Sequence, residues 1–274
     1  MFNILALDLD LRKLKKLGER YGKVSDSAIF LVNTVTLESQ KNIAQAKGIL
    51  EEYFHDVFPA INPLFSPIHP KVRSANQFDM SCPSNPDIVS FFDVLRDKVK
   101  DFEKVFVGCL NFGAKCDCPY CVDLFEKRLG QKLQVVFSNP SIYAEYLKLK
   151  ERRVFELAKI LREKIDKRLF LELDSPLAME CILRAQNVSL LSSVCNGYFV
   201  HMYPRFSDRI VDQATHDIIY IKGRASAQGV YLLPQIARKF QLELIMSKFE
   251  RKCDGIYVPL SVGSQCDQIL QGLV

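Results

Sequence analysis

Three cysteines, Cys116, Cys118 and Cys121, stand together in the string Cys-Asp-Cys-Pro-Tyr-Cys, and a fourth, Cys82, lies upstream in Ser-Cys-Pro-Ser-Asn-Pro. A C-x-C-x2-C turn can aim three thiolates at one soft cation, and a fourth thiolate closes a tetrahedron around it. The expected ion is Zn2+. Four thiolates leave it no open position, so its role would be structural. Cys109 competes with Cys82 for the fourth place, because its direction within a strand would decide. The spacing differs from the ferredoxin run of iron–sulfur proteins. Cys181, Cys195, Cys253 and Cys266 read as free thiols.

Two acidic strings share one construction, Leu5-Ala-Leu-Asp-Leu-Asp10 and Leu171-Glu-Leu-Asp174. Strand alternation puts the acids on one face and the leucines on the other. In a barrel the leucines should meet the helices and the acids should face the lumen. Asp8, Glu172 and Asp174 are the candidate catalytic acids, able to move protons, accept hydroxyl hydrogen bonds or hold a divalent cation. The structural alternatives are helix caps at Asp10 and Asp174 and ion pairs at Asp8 and Glu172. Asn111, His201, Tyr203, Arg205 and Gln235 stand at other expected strand ends and suit substrate binding. Arg205 fits a carboxylate or phosphate. A lone histidine such as His201 is more often a hydrogen-bonded core residue than a base. Neither a Gly-x-Ser-x-Gly, a P-loop nor a His-Glu-x-x-His string is present.

Positioning these groups requires a scaffold with many strand ends in one place. Short, nearly continuous apolar runs are expected as strands at 4–9, 28–35, 63–68, 105–110, 169–173, 197–203, 230–233 and 255–260. Helices are expected over 85–101, 139–166 and 238–251, the first two opened by Asn-Pro pairs. Eight strand-then-helix units in a chain of 274 residues match a (β/α)8 TIM barrel, with one domain over 1–274 and a zinc-binding clip over about 80–130. An open doubly wound sheet is the alternative, and the first strand lacks the Gly-rich turn of its nucleotide-binding form. The barrel rule places chemistry at the C-terminal ends of the strands.

Composition narrows the class further. Basic residues number 37 and acidic residues 32, intermixed, for a net charge of +5. No basic stripe with interleaved aromatics is evident, so a nucleic-acid partner is not expected. The first ten residues lack a basic leader, and no apolar run is long enough to span a membrane. Nine cysteines, an odd number, are expected to stay reduced, which points to the cytoplasm. The expected partner is a small molecule. Tryptophan is absent, which argues against a long-polysaccharide cleft, although 10 Tyr and 19 Phe could stack on sugars.

One stretch resembles a known group. Cys116-Asp-Cys-Pro-Tyr-Cys121, followed by Val-Asp-Leu-Phe-Glu-Lys-Arg-Leu-Gly130, is similar to the segment after the fourth strand in glycoside hydrolase family 42 β-galactosidases and related barrels. Cys82-Pro-Ser-Asn-Pro86 is similar to their Cys-Pro-x-x-Pro segment. The resemblance implies a zinc ion on Cys82, Cys116, Cys118 and Cys121, which favours Cys82 over Cys109, and a carbohydrate as ligand. It covers about 80–130. It also implies a Glu acid/base at the end of strand four and a Glu nucleophile on strand seven. Here Asn111 stands at the first position and Gln235 at the second, so neither of the family's carboxylates is carried. Hydrolysis would then fall to Glu172, Asp174 or Asp8. The alternative is a catalytically degenerate barrel that binds sugar or serves as a scaffold.

Overall fold

The apolar runs close into a barrel in the computed structural model, which describes residues 2–7, 9–32, 39–64, 72–73, 79–112, 116–174, 182–202, 210–225, 229–234, 239–249 and 251–272. In chain order the elements are β1 (Asn3–Ala6), α1 (Leu11–Tyr21), β2 (Ser27–Leu31), α2 (Gln40–Glu51), β3 (Asp56–Ile61), β4 (Val72–Arg73), β5 (Asp79–Met80), α3 (Ile88–Val99) and β6 (Lys104–Val107). Then come α4 (Pro119–Cys121), a π-helical turn (Val122–Glu126), α5 (Lys127–Leu129), α6 (Leu133–Ser138), α7 (Pro140–Ile165) and β7 (Arg168–Asp174). The chain continues through α8 (Val188–Leu191), β8 (Gly197–Met202), α9 (Ile210–Arg224), β9 (Gly229–Pro234), α10 (Lys239–Phe249), β10 (Gly255–Leu260) and α11 (Gln265–Gln271). Eight parallel strands close in the order β1-β10-β9-β8-β7-β6-β3-β2, and β4 and β5 form a separate antiparallel pair. This is the (β/α)8 TIM barrel that the repeating units imply.

Two cores follow from strand alternation. Inward residues, among them Leu5, Ile29, Phe58, Phe106, Phe170, Phe199 and Tyr257, fill the lumen. Outward residues such as Ile4, Phe30, Val107, Leu171 and Leu173 join the larger core under the helices. The lumen is an aromatic stack: Phe199 lies 4.7 Å from Phe106 edge-to-face and 4.8 Å from Tyr231 in parallel. It is packed solid, so ligands must enter at its ends.

The local signals act as chemistry dictates. Asp10 caps α1 by accepting the N–H groups of Arg12 (2.9 Å) and Lys13 (3.3 Å). Asn139 caps α7, and Pro140 occupies its first turn. Three expectations need correction. α3 begins at Ile88 after Asp87 with no side-chain cap, not at the Asn85-Pro86 pair, because Asn85 instead accepts the Asp87 N–H in the turn ahead of it (3.0 Å). The third strand is Asp56–Ile61, not 63–68: Pro59 lies inside it, where proline ordinarily argues against a strand. Residues 65–68 lie outside those described. In β1, Leu5 points into the lumen while Ile4 and Ala6 face the helices, the reverse of the orientation expected for that strand's leucines. β7 follows the expectation, with Leu171 and Leu173 outward.

Asp267 on α11 ties the chain's end to its beginning. Its fully buried carboxylate accepts from Arg20 (2.6 Å), from the Tyr21 hydroxyl (2.7 Å) and from the Gly263 N–H (2.8 Å). Burial pushes its carboxyl up, but the donors of Gly263, Tyr21, Gln271 and Arg20 outweigh that and hold it below the ordinary range. Its folded pKa is therefore the lower one. The stability it contributes is present above the unfolded carboxylate value and is lost as pH falls through the folded value. Asp267→Ala is expected to destabilise the fold by about 2–4 kcal/mol, because it strands the Gly263 N–H, breaks the Arg20 pair and leaves the Tyr21 hydroxyl only the longer bond to Asp267 O (3.1 Å). Urea melts at neutral pH check the size, and their convergence with wild type in acid checks the sign.

Candidate metal centre and strand-end site

The cysteine cluster is assembled by two segments. Cys82 sits in the turn before α3, where its carbonyl accepts the Asn85 N–H (2.8 Å) and the Arg153 guanidinium of α7 clamps Pro83 O at 3.0 Å. Cys116, Cys118 and Cys121 follow β6. Cys118 is the extended residue before α4, Pro119 starts its first turn, and the π-helical turn begins directly after Cys121. Gly130 then ends α5 at φ 65°, a left-handed stop that glycine permits.

The four sulfurs all lie within 4.8 Å of one another. Cys82 Sγ stands 3.3 Å from Cys121 Sγ and 3.8 Å from Cys116 Sγ. A disulfide needs about 2.05 Å, and these cysteines are free. A tetrahedral ion with bonds of about 2.3 Å sets sulfur–sulfur edges near 3.8 Å, so the cluster has the dimensions of a metal cage. Cys82, Cys118 and Cys121 are buried and Cys116 is half-buried.

The surroundings also fit a bound dication. The Ser84 N–H (3.4 Å) and hydroxyl (3.3 Å) reach Cys82 Sγ and Cys121 Sγ. The Tyr146 hydroxyl is buried beside the cluster near the Cys116 backbone, and the charge of Cys121, Cys116 and Cys82 adds to the burial that pushes its phenol up. One turn along α7, buried Lys150 donates to Leu183 O (2.7 Å). Burial lowers its ammonium to about 8, while the neighbouring thiolates oppose the shift. A four-thiolate site around a dication keeps net negative charge, and Lys150 is placed to offset it. Within the cluster, hydrogen bonds from the other thiols pull Cys118 down and leave Cys121 pushed up.

Cys109 belongs to a different site. It follows β6 at φ 55°, uncommon for a residue with a side chain. This turn sends its N–H to Glu172 Oε2 at 2.8 Å. Burial and then the Glu172 charge push the Cys109 thiol well up, and the sulfur that joins Cys116, Cys118 and Cys121 is that of Cys82. Glu172 points into the mouth of the lumen from β7, and its Oε1 stands 3.5 Å from His201 Nδ1 on β8. Asp174 lies two residues on, buried, paired with Arg184 at 3.1 Å. Gln186 fixes the end of β7 by accepting the Asp174 N–H and donating to Glu172 O, both at 2.9 Å.

Of the other expected site residues, Asn111 is buried in the turn after β6, and its N–H bonds Cys109 O at 3.0 Å. Asp8, Tyr203, Arg205 and Gln235 lie outside the described residues. Two members of the strand-end site escaped the sequence, Asn62 and Gly108. A Cβ on Gly108 would stand 2.3 Å from Asn62 Oδ1 and 3.1 Å from Glu172 Oε2. The glycine makes the space in which the amide and the carboxylate converge. Gly108→Ala is expected to cost about 1–3 kcal/mol through this overlap and to weaken any ligand held by Glu172. A thermal melt and a binding titration on the same variant check both effects.

The chain is thus a TIM-barrel protein whose four cysteines could hold a metal ion. No family model matches it, and no curated protein matches it. Among solved structures it is similar to the β-galactosidase from Bacillus circulans sp. alkalophilus, at 12% identity and a TM-score of 0.68, over 97% of this chain and 52% of that one. The β-galactosidase from the psychrophilic Marinomonas ef1 gives 9% identity and a TM-score of 0.69, over 94% and 54%. D-psicose 3-epimerase with D-tagatose, from Clostridium cellulolyticum H10, gives 11% and 0.50, over 99% and 96%. The chain spans about half the length of the two β-galactosidases. At these identities the likeness is one of fold. Among the described residues, no helix is long and apolar enough to cross a membrane.

Proposed function

We propose that this chain is a glycosidase-like barrel that binds a small carbohydrate at the strand ends and carries a structural zinc ion on Cys82, Cys116, Cys118 and Cys121. The observation that carries the reading is Glu172, a lumenal carboxylate at a strand end. Its oxygens are oriented by the Cys109 N–H and His201, beside the amide of Asn62. A fixed acceptor flanked by an amide and an imidazole suits sugar hydroxyls, which both donate and accept. The Cys-Pro-x-x-Pro and Cys-x-Cys-Pro-x-Cys strings support a glycoside hydrolase family 42-like origin, and the β-galactosidase fold likeness is in keeping with it. A reducing compartment such as the cytoplasm would keep the thiolates available to zinc.

Hydrolysis needs two carboxylates with separate roles. Glu172 supplies one. Asp174 is tied to Arg184, and Asn111 replaces the acid expected on strand four. Binding without turnover is therefore the second reading. Calorimetry against a panel of mono- and disaccharides, run beside aryl-glycoside assays, tests both. Saturable heat with turnover supports a hydrolase, and heat without turnover supports a binding barrel. No heat and no turnover across the panel removes carbohydrate as the ligand class.

A further inference from the structure

The end of the barrel opposite Glu172 holds a cavity. About 370 Å3 opens among the N-terminal ends of the strands, lined among others by Asn3, Ser27, Asp56, Tyr231, Asp254 and Tyr257. That is room for a small organic molecule and far more than a bare ion needs.

The floor of the cavity is the lower edge of the lumen's aromatic stack. Elsewhere on this edge the chain supplies its own cations. Lys104 Nζ lies 4.9 Å from the Phe58 ring centre, and the Arg168 guanidinium lies 5.7 Å from that of Phe170. On β9 and β10 the first residue is glycine instead. A Cβ on Gly229 would stand 2.7 Å from the Tyr231 ring, and one on Gly255 would stand 3.1 Å from it. The glycines let half-buried Tyr231 lie across both strands with no side chain of their own over it, and the buried Tyr257 lines the space beside it.

The charges facing this space are mostly negative. Asp56 is paired with Lys104, and Ser27 Oγ bridges its carboxylate (3.4 Å) to the Tyr257 hydroxyl (2.9 Å). Asp254 takes the Val230 N–H at 2.7 Å and forms a long ion pair with Lys222 at 4.0 Å. Asp26 stands exposed at the rim beside His55. Burial and then the charge of Asp254 push the Tyr231 phenol up, with Asp56 adding to this and Arg168 opposing it. Among the described residues the lining itself carries three carboxylates, Asp26, Asp56 and Asp254, and neither lysine nor arginine.

We propose that this cavity binds a small organic ammonium ion, held against Tyr231 and Tyr257 with its charge between Asp254 and Asp56. Such a ligand does for these two rings what Lys104 and Arg168 do for Phe58 and Phe170. The site is separate from the strand-end site and does not depend on what that site binds.

Putrescine is a suitable probe, with butanediol as its uncharged counterpart. With no tryptophan and 10 tyrosines in the chain, ring resonances of Tyr231 and Tyr257 report binding directly. Saturable shifts of these two rings are expected with putrescine and not with butanediol. Asp254→Asn keeps an acceptor for the Val230 N–H and should weaken putrescine binding about tenfold, the loss expected for one partly desolvated charge contact. Asp26→Asn, at an exposed position, serves if that variant melts early. Glu172→Gln should leave putrescine binding unchanged. Equal response to butanediol, unchanged affinity in both aspartate variants, or no saturation by concentrations on the order of 10 mM overturns the proposal.

Discussion

On the proposed zinc site, removal of the ion should produce the largest stability change available in this protein. Purified chain is expected to carry one zinc ion per molecule, and Cys121→Ser is expected to lose it. Cys121 is the fully buried member, beside Cys82 and the Ser84 hydroxyl. Structural zinc sites contribute about 10–16 kcal/mol of binding free energy in small domains, and less of that is expected here because the two cysteine segments are already packed on the barrel. A loss of about 4 kcal/mol would lower the melting temperature by roughly 10 °C in a chain of this size. Chelator-treated wild type should melt near the serine variant. A metal-free preparation that melts like the untreated protein would contradict the cage.

The second large effect is expected at Glu172. Glu172→Gln keeps the size of the side chain and one oxygen for the Cys109 N–H, but turns the other position into a donor and removes the charge facing His201. Sugar affinity should fall about 100-fold, since hydrogen bonds to charged acceptors contribute about 1.5–3 kcal/mol each. Any turnover should vanish with it. Asp174→Asn is the contrast. Asp174 serves Arg184 and the end of β7, so that change should lower stability more than affinity. If Asp174→Asn abolishes binding while Glu172→Gln does not, the roles assigned to the two acids are reversed.

These residues differ in how far the sequence alone could place them. Strand count and helix caps were readable, because buried parallel strands are apolar throughout and because Asn139 and Pro140 act locally. The third strand was misplaced since Pro59 interrupts an otherwise good run. Alternation in β1 and β7 looks identical in the sequence, yet Leu5 faces inward and Leu171 outward. A barrel strand is apolar on both faces, so the pattern does not say which face is the lumen. The cysteine spacing pointed to a shared ion because it is a local geometric constraint. The strand-end site was half readable. Acids inside an apolar strand stand out, but Cys109 joins through a left-handed backbone turn at a residue that does not announce one. Asn62 and Gly108 join through a close approach between neighbouring strands, which no spacing along the chain encodes.

The cage has a further consequence as a piece of chain topology. Cys82 and Cys121 are 39 residues apart, and α3 and β6 lie between them. An ion shared across that interval is a reversible cross-link that closes a loop around one whole strand and its helix. Closing such a loop removes entropy from the unfolded chain much as a disulfide does, without needing an oxidising compartment. On the proposed zinc site, a backbone cut between α3 and β6 would leave two fragments joined through sulfur and metal as well as by the β3–β6 pairing, and a chelator, not a reductant, would remove the metal link.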